Sequence, residues 1–147
     1  MKSFLFMILF FSFNLNANNF TFKSIGALER NEAITFPNGG KFVAFKHSGG
    51  FEANIGKYGK YQCDGSILYN KESTLENMHF ACKFEDQNRD VFITMGKRLK
   101  GSDTDRAVGQ FELIDGKGFW IDFLGYTCSY AIEYVDDIVF APANCKK

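Results

Sequence analysis

The feature that most constrains this chain is the placement of its four cysteines about two candidate hairpin turns. In an antiparallel hairpin, facing residues lie equally far from the centre of the turn and share a face of the sheet. A loop centred between Glu72 and Ser73 sets Cys63 opposite Cys82, Tyr61 opposite Phe84 and Ile67 opposite Met78. A two-residue turn at Asp136-Asp137 sets Cys128 opposite Cys145 and Ile132 opposite Ala141. Directly opposed cysteines stand at a separation a disulfide can span when the pair is not hydrogen-bonded. The spacing therefore predicts Cys63–Cys82 and Cys128–Cys145 over the other two connectivities.

The same alternation runs through most of the chain. Val43, Phe45 and His47 share one face, as do Phe51, Ala53 and Ile55 beyond a turn expected at Ser48-Gly49-Gly50. Further turns are expected at residues 56–59, 70–74, 86–90, 100–105, 115–117, 124–125 and 136–137. A turn around Gly116 pairs Phe111 with Ile121 and Leu113 with Phe119, and one at Leu124-Gly125 pairs Ile121 with Cys128 and Phe123 with Tyr126. One face then gathers nearly every large apolar residue from Val43 to Cys145, while Gln62, Asp64, His79, Lys83, Gln110 and Glu112 take the other. A one-residue slip would break that agreement, so the agreement supports the register. No stretch has helical periodicity over a useful length.

A run of hairpin-linked strands with one wet face must bury the other, and a long sheet curls or splits. The reading is an all-β chain: an antiparallel up-and-down meander barrel of eight or nine strands with two disulfides, a β-sandwich being the alternative. Gly65, Gly96 and Gly109 fall on the inward face, where they suit sharp bends. Pro142 places the last strand at an edge, or beside only one neighbour at that point. Residues 18–36 are mixed: Phe20 and Phe22 suit a strand, while Ala27 to Glu32 suit a turn of helix.

The first residues, MKSFLFMILFFSFNLNA, combine one Lys, an unbroken apolar run from Phe4 to Phe11 and a short polar segment ending in Ala17. This is the layout of a cleaved secretory leader, since the apolar run is about half of the ~20 residues a spanning helix requires. The reading is a leader over residues 1–17 and a single domain over 18–147, exported to the periplasm or the extracellular space, with no transmembrane segment in the mature chain. Cleavage removes Lys2 and no acid, leaving 16 basic against 17 acidic residues. That balance gives no electrostatic reason to expect nucleic acid or an anionic membrane as partner. Four cysteines in an exported chain read as a disulfide framework.

Cys63 followed by Gly65, the turn Asp86-Gln-Asn-Arg-Asp90, and the later Gly109-Gln-Phe and Asp115-Gly-Lys-Gly118 runs resemble small exported barrels of unknown function. Those are in turn similar to the allene oxide cyclase and dirigent type of calycin-like barrel. The resemblance spans roughly Gly50 to Tyr134 and rests on glycine and aromatic spacing. It implies an antiparallel barrel with an apolar interior, and it carries over no catalytic residue.

No constellation for catalysis emerges. The chain has two histidines, His47 expected at a strand end on the rim and His79 on the wet face, and it lacks GxSxG and HExxH motifs. Asp86-Gln-Asn-Arg-Asp90 begins like a calcium loop but has Val91 where the invariant Gly belongs and Lys97 where the bidentate Glu belongs. It reads as an acidic hairpin turn. No catalytic residue, metal or cofactor is assigned.

Two surfaces remain. Inward, Tyr61, Tyr126, Tyr130 and Tyr134 bring hydroxyls among phenylalanines, with Arg98 and His47 near strand ends. Such a lumen suits a small hydrophobic or aromatic ligand and equally suits a filled core. Outward, Val91, Ile93, Ile114 and Trp120 form an apolar patch, covered by the segment with Phe20 and Phe22 or by a protein partner. The leading functional expectation is non-enzymatic binding of a small apolar molecule inside the barrel. The alternative is a protein-interaction or envelope-structural module using the outer patch, and a cyclase-type enzyme is third.

Overall fold

The computed structural model describes residues 19–98 and 106–147. The expected leader and the turn expected at 100–105 lie outside the described residues. Eight strands follow in order: β1 Asn19–Thr35, β2 Lys41–Ala53, β3 Lys57–Tyr69, β4 Leu75–Asp86, β5 Val91–Arg98, β6 Arg106–Gly116, β7 Thr127–Val135 and β8 Ile138–Lys146. Each pairs antiparallel with the next, and β1 pairs with β8 to close the barrel. Both disulfides form as the register requires, with Cα atoms 4.1 Å apart at Cys63–Cys82 and 4.0 Å apart at Cys128–Cys145.

Three expectations are corrected. The mixed segment after residue 18 has no helical turn; it is β1, whose Phe20 and Phe22 enter the core. They line the interior and do not cover an outer patch. The turn expected at Ser48-Gly49-Gly50 is absent, and period 2 runs unbroken along β2 from Val43 to Ala53. Gly49 faces Gly26 across the β1–β2 pair, and a Cβ there would collide with the Ile25 carbonyl. These glycines serve close strand approach, not reversal. His47 is consequently a buried mid-strand residue, 7% exposed, and not a rim residue.

The third correction concerns residues 118–123. They form a 3₁₀ helix, not a strand, so β6 pairs directly with β7 and sets Phe111 opposite Cys128. Gly118 begins it at φ +65°, a conformation that costs side-chain-bearing residues energy. Leaving the ladder inverts the faces: Phe119 and Ile121, expected inside, are exposed, whereas Trp120, expected outside, is fully buried. The outer patch thus loses its aromatic anchor; Val91 and Ile93 stay half-exposed and Ile114 exposed.

Pro142 behaves as the sequence implies. Register between β7 and β8 runs to Tyr130 opposite Ala143 and resumes at Glu133 opposite Phe140, while Pro142 faces Lys23 of β1.

Inside the barrel, large and small residues alternate around one circumference: Phe45 faces Gly65, Gly65 faces Phe80, Phe80 faces Gly96, and Gly96 faces Phe111. Each glycine leaves wall space on which a neighbouring ring lies, the device by which an aromatic side chain shields a strand glycine. Phe45 covers Gly65, Phe80 covers Gly96, and Tyr130 covers Gly109.

Candidate functional site

The lumen has a sealed end and an open end. At the sealed end the 3₁₀ helix inserts Trp120 and Phe123 against Phe20, with ring centroids 5.9 and 5.1 Å from the Phe20 ring. Trp120 also packs against Phe92, with ring centroids 4.2 Å apart and the planes tilted by 42°. Its indole N–H donates to Asp86 Oδ2 at 3.2 Å, and Lys57 Nζ lies 3.0 Å from the same oxygen. Asp86 Oδ1 accepts the backbone N–H groups of Asn88 and Asp90 at 2.8 and 3.1 Å. Asp90 Oδ2 in turn accepts from the Phe119 N–H at 3.2 Å. The motif that begins like a calcium loop therefore spends its carboxylates on holding the hairpin turn and the plug.

Burial works against ionisation of Asp86, but the hydrogen bonds from Lys57, Asn88 and Asp90 outweigh it and hold its pKa below the ordinary value. The Lys57 ammonium also lies 4.2 Å above the Phe119 ring, a cation–π contact. Sequence reasoning missed this Asp86–Lys57–Trp120 centre because it rests on three segments far apart in the chain.

Below the plug lies a cavity of about 50 Å³. Its polar lining is Ser24, His47, Tyr61 and Tyr130; the remaining walls are apolar side chains, including Phe22, Phe45, Met78 and Ile132, and the Cys63–Cys82 disulfide. His47 Nδ1 and the Tyr61 hydroxyl are 3.2 Å apart. Burial pushes His47 down to about 4, against the opposing pull of Asp64 and Glu29, so the imidazole is neutral at pH 7. Burial likewise pushes Tyr61 and Tyr130 up to about 12. Both phenols stay protonated.

Beyond Phe45 the barrel opens into a mouth of about 320 Å³. Leu28, Val43, Phe45 and Ile67 supply its apolar lining; Lys41, Tyr69, Arg98 and Tyr134 supply polar groups, with Asp136 and Asp137 also on its border. Lys41 Nζ sits 5.0 Å from the Tyr69 ring centre. Tyr69 and Tyr134 have pKa values raised by burial, with the positive charge of Arg98 opposing the shift. Phe45 borders both the mouth and the inner cavity. Depressions of about 380 and 410 Å³ also occur on the barrel exterior, but their borders are largely polar wall residues such as Lys97 and Glu112, or Lys60 and Glu85.

Of the six residues read from the sequence as ligand-facing, Arg98 and Tyr134 line the mouth, and His47, Tyr61 and Tyr130 line the inner cavity. Tyr126 lies elsewhere, at the plug, 5.3 Å from Phe123 and 6.1 Å from Phe20. Lys41 and Tyr69 went unassigned, although strand parity with Val43 and with Ile67 marks both as inward.

These features define a class: a closed eight-stranded antiparallel meander barrel, stapled by two disulfides, sealed at one end and open at the other. No protein-family model matches the chain, and no curated protein matches it. Among solved structures it is similar to a conserved protein of unknown function from Rhodopseudomonas palustris, at a TM-score of 0.64 and 13% identity, covering 86% of this chain and 94% of that one. That likeness shows the fold. Among the described residues no helix is long and apolar enough to cross a membrane.

Proposed function

We propose that this chain is an exported calycin-like barrel that binds a small molecule with an apolar body through the open mouth of its lumen. The observation that carries the reading is the mouth itself. Its volume of about 320 Å³ lies in the range of small-ligand sites, and it sets the apolar side chains Leu28, Val43, Phe45 and Ile67 beside convergent polar groups that can orient a guest. The plug at the other end leaves one direction of entry. Lys41 and Arg98 share its border with Asp136 and Asp137, which suits a guest whose outer end is polar. The N-terminal apolar run supports export, and the two disulfides, which persist in oxidising compartments, are consistent with it.

Anilinonaphthalene sulfonate, an anionic aromatic dye, provides the test. Native protein should give a saturable fluorescence increase, and Val43→Trp and Ile67→Trp, each filling the mouth from a different strand, should abolish it while circular dichroism stays native. An unchanged signal in both variants would place the dye elsewhere and refute the lumen as the binding site.

A further inference from the structure

The inner cavity has a chemical bias of its own. Tyr130 is 6% exposed, and its hydroxyl is buried with no hydrogen-bond partner. Thr94, the other unpartnered buried side chain among the described residues, does not line this cavity. A buried hydroxyl left without a partner is costly, so such a group in a native interior calls for an explanation. His47 and Tyr61 answer each other, which leaves Tyr130 as a phenolic donor beside apolar walls.

Eleven apolar side chains border the cavity against four polar ones, so a carbon-rich guest matches more of the lining than water does. A charged group is worse, since none of the lining side chains carries a charge at pH 7 and an unpaired buried charge is strongly disfavoured. A guest that is apolar except for one neutral oxygen meets both demands: it fills the space with carbon and offers Tyr130 an acceptor.

We infer that the inner cavity is the deep subsite of the lumen and takes the tip of a ligand bearing a single neutral oxygen acceptor, such as a ketone, bonded by the Tyr130 hydroxyl. This rests on the lumen-binding reading and adds a selectivity to it: a single neutral oxygen at the deep end, with any further polar character only at the mouth. Phe45, which borders both spaces, separates the two ends of the guest.

Acetone, isobutene and acetate make a matched set of four heavy atoms each, differing in the group offered to Tyr130. The methyl groups of Met78, Ile132, Ala141 and Ala143 border the cavity, so their NMR shifts report entry. In native protein, acetone and isobutene should shift these methyls saturably and acetate should not. In Tyr130→Phe the acetone affinity should fall about five-fold, the worth of one ordinary hydrogen bond, with isobutene unchanged. That unchanged isobutene response also shows that the variant cavity is intact. Equal acetone affinity in native protein and variant, or shifts caused by acetate, would overturn the assignment to Tyr130 while leaving the lumen open to ligands. Failure of both acetone and isobutene to reach these methyls would overturn it as well, by closing the deep subsite, and the dye result would show separately whether the mouth still binds.

Discussion

Trp120→Ala should remove the seal of the barrel, and its cost follows from what Trp120 touches. The side chain is fully buried, with rings of Phe20, Phe92, Phe119 and Phe123 between 4.2 and 5.9 Å away. Deleting such a residue from a packed interior costs about 3–5 kcal/mol. A domain of this size has roughly 5–15 kcal/mol in total, so the variant should lose a large part of its stability. Trp120→Phe separates packing from hydrogen bonding. It keeps most of the aromatic contact but leaves Asp86 Oδ2 without the indole donor; a hydrogen bond to a charged group is worth about 1.5–3 kcal/mol. The lower figure applies, because Lys57 and two backbone N–H groups still serve Asp86. Urea unfolding followed by far-ultraviolet circular dichroism measures both variants without needing the fluorophore they lack. Since Trp120 is the only tryptophan, its acrylamide quenching in native protein reads the plug directly and should be far below that of unfolded protein. A loss under about 1 kcal/mol for Trp120→Ala, or native quenching equal to that of unfolded protein, would refute the sealed end.

His47 makes stability depend on mild acid. Its folded pKa of about 4 lies below the ordinary 6.5, so the unfolded chain takes up the proton first. The contribution is complete above pH 6.5 and is lost as pH falls toward 4, on the order of 3 kcal/mol. His47→Gln should flatten that window in urea midpoints measured against pH, and an identical slope in the variant would contradict the buried neutral imidazole. The loss tied to Asp86, whose pKa is lowered, falls at more acid pH and should survive in His47→Gln. Intact mass of the chain from the producing cell tests leader and staples together: it should correspond to a start at Asn18 and be lighter by four hydrogens than the reduced form. Reduction should cost about 3 kcal/mol per staple by the loop-entropy relation for closures of 19 and 17 residues. A full-length mass would refute cleavage after Ala17, and an unchanged urea midpoint after reduction would remove the staples from the stability account.

Most of the barrel was legible because period 2 leaves little freedom. Once Cys63 faces Cys82, every residue from Gly59 to Leu68 has its partner on β4 determined, and the observed pairs follow that line. The misreadings occur where a local signal has two physical meanings. Ser48-Gly49-Gly50 has the composition of a turn, yet Gly49 is needed because β1 approaches β2 too closely there for a side chain. Gly118 to Leu124 alternates well enough for a strand, but the ladder ends at Gly116 and the chain enters a 3₁₀ helix, which reverses the parity that had placed Trp120 outside. The inward tyrosines were readable from parity alone. Their division among mouth, cavity and plug was not, because it depends on which end of the barrel is sealed.

The alternation of rings and glycines explains how so aromatic an interior retains space. A phenylalanine opposite a bulky residue is forced toward the barrel axis, where it meets rings from the far wall and fills the centre. Opposite a glycine it can lie back against the neighbouring strand. Four residues that line the inner cavity do so: Phe45 over Gly65, Phe80 over Gly96, Tyr130 over Gly109, and the Tyr61 hydroxyl over Gly26. At the sealed end Gly116 also stands opposite Phe92, but the 3₁₀ helix sets Trp120 over it, and with Phe20 and Phe92 it fills the space. The space in the lumen thus follows from where the chain places glycine on its inward face, and the same placement that bends the sheet keeps the Tyr130 hydroxyl at the cavity wall.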